Sequence, residues 1–163
     1  MKKTLPVFCL LLCCNITALA SFPDTTVKGV SIIFSYSATI FPDSWRTAAI
    51  NANGKPITYS EIERTRDVAI KALNKYPAPM LAANLKAVYF LKEMAFFNTP
   101  FGGTNSADNL YLTSNGITLG YTNDYIEQTF HHEFSSILFR NHPEYLDTTY
   151  YCMEKSQRTR FYL

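Results

Sequence analysis

The sequence predicts an α+β protein in which a small mixed sheet packs against helices, with the longest helix near the C-terminus. Residues 30–37 alternate between apolar and mostly serine side chains, which indicates a half-buried strand. Residues 87–91 are continuously apolar, which is typical of a buried central strand. Residues 122–142 combine helical periodicity with start and stop signals. These three segments predict the sheet and the helix that packs on it.

The first twenty residues have the features of a secretory signal peptide. Lys2 and Lys3 form a positive region, residues 5–14 form an apolar run, and Ala18-Leu19-Ala20 is a cleavage site before Ser21. The apolar run is too short to span a bilayer comfortably, so we do not expect an integral membrane protein. We expect export to remove residues 1–20, leaving residues 21–163 as one domain in the periplasm, cell envelope or extracellular space.

The cysteines allow an alternative interpretation of this segment. A lipoprotein signal would end at Cys13 or Cys14, but the preceding residues, Leu12 and Cys13, are not the small ones usual before lipid attachment. Three of the four cysteines lie in the signal peptide, so the mature chain retains Cys152 alone. The sequence therefore predicts no intrachain disulfide.

The charge of the mature chain argues against a nucleic-acid partner. The full sequence has 15 basic and 13 acidic residues, and two of the basic ones, Lys2 and Lys3, lie in the signal peptide. Subtracting two from 15 leaves 13 basic residues against 13 acidic ones, a formal charge of zero. Nucleic-acid binding needs an excess of positive charge that this chain does not have.

The segment between the first two predicted strands combines a loop with a helix. Residues 41–57 are rich in proline and turn residues and predict a loop with room for a short helix. Trp45 is interpreted as a core anchor of this loop, with a ligand platform as the alternative. Thr58 and Glu61 have the spacing of a capping box, and Ser60 and Glu63 offer a second one. The helix that follows should end at Pro77. Pro79 then opens a short helical turn.

The segment before the long helix contains the glycine pair Gly102-Gly103. Residues 101–106 predict a flexible loop, residues 109–113 predict a strand, and residues 114–116 predict a turn. The glycine pair is not a phosphate-binding loop, because it has neither the lysine nor the directly following helix of that motif.

The long helix has recognisable ends and one apolar face. Thr122 and Asn123 can cap its start, and Asn141 before Pro143 supplies a stop. Four apolar residues recur at spacings of four, four and three, which places them on one buried stripe: Ile126, Phe130, Phe134 and Ile137.

All three histidines of the chain lie on or directly after this helix, at positions 131, 132 and 142. His132-Glu133 begins like the metallopeptidase motif H-E-x-x-H, in which a histidine binds zinc and the glutamate is the general base. Ser136 occupies the place of the second histidine. The alternative interpretation is that His131 and His132 are ordinary polar residues of an amphipathic helix, hydrogen-bonded or solvated.

The stretch from Ala87 to His142 resembles exported bacterial zinc-binding metallopeptidases of the zincin type. The resemblance depends on Gly102-Gly103-Thr104, Gly120-Tyr121-Thr122 and Phe130–Leu138. It implies a zincin-like fold in which an edge strand beside the active helix holds extended substrate by β-pairing. It also implies zinc as the cofactor, with His132 as a ligand and Glu133 as the base that activates water.

Two functions of different classes follow from this resemblance. The first is a secreted zinc-dependent metallopeptidase that acts on a peptide or protein substrate with an atypical ligand set. Its third ligand would be His142, Glu144 or Glu154, and His142 matches the last histidine of the longer metzincin motif. The second is a catalytically inactive zincin-like binding or envelope protein.

Overall fold

The computed structural model describes residues 24–145, which form a mixed seven-stranded sheet and three α-helices. The α+β prediction is confirmed at this level. The predicted signal peptide, Cys152 and Glu154 lie outside the described residues. The strands are β1 (Thr25–Val27), β2 (Val30–Ile33), β3 (Asn53–Pro56), β4 (Ala87–Phe96), β5 (Thr99–Phe101), β6 (Gly103–Asn105) and β7 (Asn109–Thr113). The helices are α1 (Tyr59–Asn74), α2 (Ala78–Asn84) and α3 (Asn123–Asn141).

The sheet is built around the ten-residue strand β4. The strand order is β1-β2-β4-β7-β6, with β2 and β7 parallel to the first half of β4. β1 and β6 are antiparallel to their neighbours at the two ends of the sheet. The second half of β4 pairs antiparallel with β3 and β5. The predicted central strand is thus confirmed, and it extends five residues beyond Leu91.

Separate apolar clusters cover the two faces of this sheet. On one face, α1 and α3 pack against β2, β4 and β7, and the predicted stripe of α3 is buried, with 0–1% exposure at Ile126, Phe130, Phe134 and Ile137. On the other face, Phe41 and Trp45 pack against Tyr111 of β7 and Phe96 of β4. Burying each large apolar side chain contributes roughly 1.5–3 kcal/mol.

Both predicted ends of α3 are confirmed. The hydroxyl of Thr122 accepts a hydrogen bond from the Tyr125 N–H at 3.1 Å, which caps the first turn. The helix ends at Asn141, and Pro143 follows in a short 3-10 turn. None of the helices within residues 24–145 has the length and apolar character needed to cross a bilayer.

The first helix begins where predicted, but its capping box is wrong. Thr58 precedes α1 without any side-chain capping hydrogen bond. Glu61 instead accepts hydrogen bonds from Arg64 and from the Ser114 hydroxyl, the latter at 2.7 Å. A tertiary contact to the end of β7 thus competes with the local cap for the same carboxylate.

Two segments predicted as loops contain strands. Asn53–Pro56 forms β3 within the predicted 41–57 loop, and Gly103–Asn105 forms β6 within the predicted 101–106 loop. Glycine, asparagine and proline are depleted from strands, so their propensity favours turns. Here pairing with β4 and β7 overrides that propensity. The predicted 30–37 strand is also shorter than expected, because β2 ends at Ile33.

Charged groups join α1 to α3 beside the apolar stripe. The buried carboxylate of Glu127 is 2.8 Å from Lys71 Nζ and 2.5 Å from Lys75 Nζ. The hydrogen bonds from Lys71 and Lys75 lower the pKa of Glu127 from the ordinary value of 4.5 to about 2. The ionised carboxylate therefore stabilises the contact between the two helices.

We expect Glu127→Gln to flatten the acid limb of the stability profile. Because the folded state depresses the Glu127 pKa, its contribution is complete above pH 4.5 and is lost as the pH falls toward 2. Chemical denaturation between pH 2 and pH 7 should show the parent more stable by about 1 kcal/mol at neutral pH, with the two proteins converging near pH 2. Glu63→Gln, which removes an exposed carboxylate from the same helix pair, is the control. A difference that does not depend on pH would contradict this account.

Candidate peptide-binding edge beside helix α3

Strand β6 exposes main-chain hydrogen-bonding groups at one end of the sheet. The Thr113 N–H donates to the Gly102 carbonyl and the Ser106 N–H donates to the Asn109 carbonyl, both at 2.9 Å. Because antiparallel pairing alternates, the groups of Gly103 and Asn105 point away from β7. Within the described residues no strand pairs with this outer edge.

The glycine pair allows β6 to lie against α3. A Cβ atom at Gly103 would lie 3.2 Å from Glu133 Cγ and would overlap the methyl group of Thr129. A Cβ atom at Gly102 would meet the hydroxyl of Tyr125. Any side chain larger than hydrogen at position 103 would therefore separate the edge strand from the helix.

Glu133 is buried at this contact. Its Oε2 accepts a hydrogen bond from Asn105 Nδ2 at 2.6 Å, which ties the helix to the end of β6. Arg140, two turns further along α3, donates to Asn105 Oδ1 and, at 2.8 Å, to the Ser106 carbonyl. The predicted catalytic residue is thus part of the network that holds the edge strand.

His132 lies beside Glu133 and faces solvent. Its side chain is 77% exposed, and Nε2 is 4.0 Å from Glu133 Oε1. Ser136 lies one turn further on, and its hydroxyl donates to the His132 carbonyl at 3.1 Å. The structure therefore brings His132 and Glu133 together, while Ser136 bonds to the helix backbone.

His131 has a structural environment between α1 and α3. Its Nδ1 is 2.7 Å from the Tyr76 hydroxyl, and its Nε2 is 3.7 Å from Glu127 Oε1. Burial raises the pKa of the Tyr76 hydroxyl, which stays protonated at neutral pH. His131 thus matches the interpretation as a hydrogen-bonded helix residue.

His142 lies at the far end of α3. Ten residues separate it from His132, which places the two about 15 Å apart along the helix axis. Its Nδ1 is 3.2 Å from Glu144 Oε1, so two predicted ligand candidates contact each other there. His142 also lines a cavity between α2 and α3. The structure does not bring His142 and Glu144 to the pair formed by His132 and Glu133.

Of the predicted zinc ligands, the described residues place only His132 at this edge. Between residues 24 and 145, no group of three or more His, Cys, Asp or Glu side chains is arranged to hold a metal. A catalytic zinc site uses three protein ligands, and a serine hydroxyl is a poor substitute for imidazole. Glu154, the remaining predicted ligand, lies outside the described residues.

Sequence reasoning missed the residues that surround Glu133 in space. Asn105, Thr129 and Arg140 contact β6 or Glu133 but match no motif. The signal that could have located them was the glycine pair, because adjacent glycines also occur where backbone approaches a neighbouring element closely.

Comparison of the chain with protein-family models, with curated proteins and with solved structures finds no significant match. The resemblance to zincin-type metallopeptidases therefore stays a prediction from sequence motifs. The proposal made below depends instead on the geometry of β6 and α3.

We expect Gly103→Ala to lower the free energy of unfolding by about 1–3 kcal/mol, because the new methyl group overlaps Thr129 and crowds Glu133. Thr129→Ser removes the obstructing methyl group and should recover part of the loss in the double variant. Gly102→Ala is the matched control, since the Tyr125 hydroxyl is the end of a flexible side chain that can rotate away. Denaturant unfolding of the parent, the two single glycine variants and the double variant measures these free energies. Equal losses of stability at Gly102 and Gly103 would contradict the proposed contact with Thr129.

Proposed function

We propose that the protein binds an extended peptide segment along the outer edge of β6. The observation that carries this proposal is the pair of outward-facing main-chain positions, Gly103 and Asn105, beside α3. An extended peptide can add itself to such an edge, with main-chain hydrogen bonds for affinity and alternate side-chain contacts for specificity. This function corresponds to the non-catalytic alternative predicted from the sequence.

The edges of β3 and β5 are less suited to pairing than the edge of β6. β3 contains Lys55 and Pro56, and β5 contains Pro100. Proline and lysine on an edge discourage added strands. β6 contains neither a proline nor a charged residue. Among the strands that flank β4 and β7, β6 is therefore the best template for an incoming strand.

The edge is held in place before any partner binds. Asn105 is fixed between Glu133 and Arg140, and Arg140 also holds the Ser106 carbonyl. A rigid edge loses less conformational entropy on binding than a mobile loop would. The Glu133 network therefore supports binding without any hydrolytic role for its carboxylate.

Main-chain pairing alone would bind weakly. The two outward-facing residues offer four hydrogen-bonding groups, and each net hydrogen bond contributes about 0.5–1.5 kcal/mol, so together about 2–6 kcal/mol. Association costs roughly 4–15 kcal/mol in lost translational and rotational freedom. Side-chain contacts must supply the difference, which restricts the function to segments with suitable side chains.

The test uses linear peptides selected from a random library against the isotope-labelled mature protein. We expect binding to slow amide exchange at Gly103 and Asn105 by at least tenfold, because their N–H groups become hydrogen-bonded. The Thr104 amide faces β7 and should change little. The Thr26 amide, in β1 at the opposite end of the sheet, is the control.

The ligand provides a second measure of the same pairing. Methylating peptide nitrogens one at a time should weaken binding at every second position, because only alternate residues of a paired strand face its partner. Binding that leaves Gly103 and Asn105 unprotected, or that methylation weakens without this alternation, would reject the proposal.

A zinc-dependent peptidase is the second candidate function, favoured by the exposed imidazole of His132 beside Glu133. In this proposal His132 is a zinc ligand and Glu133 is the general base. Glu154 is the further ligand that stays available, because His142 and Glu144 contact each other at the far end of α3. The substrate would be the same extended peptide. Ser136 weakens this candidate, because its hydroxyl is a poor zinc ligand and donates to the His132 carbonyl.

We expect Ser136→His to raise zinc affinity at least tenfold under the peptidase proposal. Residues 132 and 136 are one turn apart on a helix, so two imidazoles could reach one ion there. Zinc titration of the parent, of Ser136→His and of Ser136→His with His132→Ala measures the change. In the zinc-loaded protein, Glu133→Gln should abolish hydrolysis with zinc content unchanged. No gain in the single variant, or a gain that persists without His132, would reject this candidate.

A further inference from the structure

A cavity of about 260 Å³ lies on the face of the sheet opposite α3. Its lining side chains are mostly apolar and none of them is charged. The residues are Trp45, Ile50, Phe96, Phe97, Phe101 and Thr104. Sites for drug-sized ligands usually enclose about 300–1,000 Å³, so this cavity suits a single large side chain.

The walls of the cavity are packed rings. Phe96 lies between Trp45 and Phe101, with edge-to-face contacts at centroid distances of 5.4 and 5.1 Å. Phe101 is nevertheless 40% exposed, so part of its ring is free to contact a ligand. Aromatic rings in this arrangement favour a further ring placed edge-to-face.

Phe97 forms the rim in an unfavourable backbone conformation. It occupies the first position of the two-residue turn between β4 and β5, with φ +54° and 62% exposure. A bulky residue at positive φ is strained, and asparagine or glycine is usual in such turns. The Phe97 N–H donates to the Ile50 carbonyl at 2.6 Å, which holds the turn against the segment that contains Trp45 and Ile50. The exposed ring of Phe97 therefore occupies a turn position at which asparagine or glycine would make the fold more stable.

The cavity is connected to the proposed binding edge through Thr104. This residue is the middle of β6, and its side chain lines the cavity. In paired strands, directly opposite residues project their side chains from the same face of the sheet. A residue paired opposite Thr104 would therefore point its side chain to the cavity face.

We propose that this cavity binds one large apolar side chain, best an aromatic one, of the peptide segment paired with β6. This proposal rests on the peptide-binding function proposed above, and it specifies which side chain the bound peptide should carry opposite Thr104. The uncharged lining would reject Asp, Glu and Lys at the same position, because their burial there would leave the charge without a partner.

The test measures binding of blocked heptapeptides, Thr-Val-Thr-Xaa-Thr-Val-Thr with Xaa as Phe, Ala or Asp, to the full mature protein. We expect the Phe peptide to bind roughly 10- to 100-fold more tightly than the Ala peptide, and the Asp peptide most weakly. Phe97→Asn should remove most of this preference. The same variant should raise the Tm by about 2–5 °C, because asparagine tolerates positive φ.

Asn98→Gly is the matched control, because it changes the neighbouring turn position and leaves the Phe97 ring in place. It should keep the preference for Phe. Equal affinities for the Phe and Ala peptides, with Gly103 and Asn105 still protected from exchange, would overturn the cavity proposal alone and leave edge binding intact. N-acetylphenylalaninamide binding as tightly as the heptapeptide would make the cavity a small-molecule site. If the parent protein self-associates and Phe97→Asn abolishes that association, the cavity would instead bind a second copy of the chain.

Discussion

The close contact between β6 and α3 determines how the proposed site is built. It depends on the absence of a side chain at Gly103, which lets the edge strand reach Thr129 and Glu133. Once the strand is there, Asn105 can bond to Glu133 and the outer edge is fixed. Among residues 24–145, a helix supports this end of the sheet and no further strand pairs with β6, so two main-chain positions face outward.

Long, periodic elements were predictable from the sequence. The α3 stripe and the Thr122 cap follow from residues close together in the chain, and both agree with the structure. The central strand β4 was also recognisable, because burial on both faces requires an uninterrupted apolar run. In each case local sequence and tertiary packing favour the same structure.

The candidate site was less predictable, because it combines short elements from distant parts of the chain. Three residues are too few to show strand periodicity, and Gly103 and Asn105 have turn propensity. The neighbours of Glu133 depend on strand pairing, which a single sequence does not reveal. Trp45 is partly buried and packs against the second apolar cluster, and its position in the cavity lined by Thr104 follows from the tertiary fold.

The bond between Asn105 and Glu133 affects how this motif can be interpreted in other chains. A glutamate that secures an edge strand has a structural role that does not require a second histidine. Its removal would leave the Asn105 amide without its partner and loosen the strand. A His-Glu pair on a helix beside an edge strand therefore has a structural explanation in this contact, and the pair by itself does not identify a hydrolase.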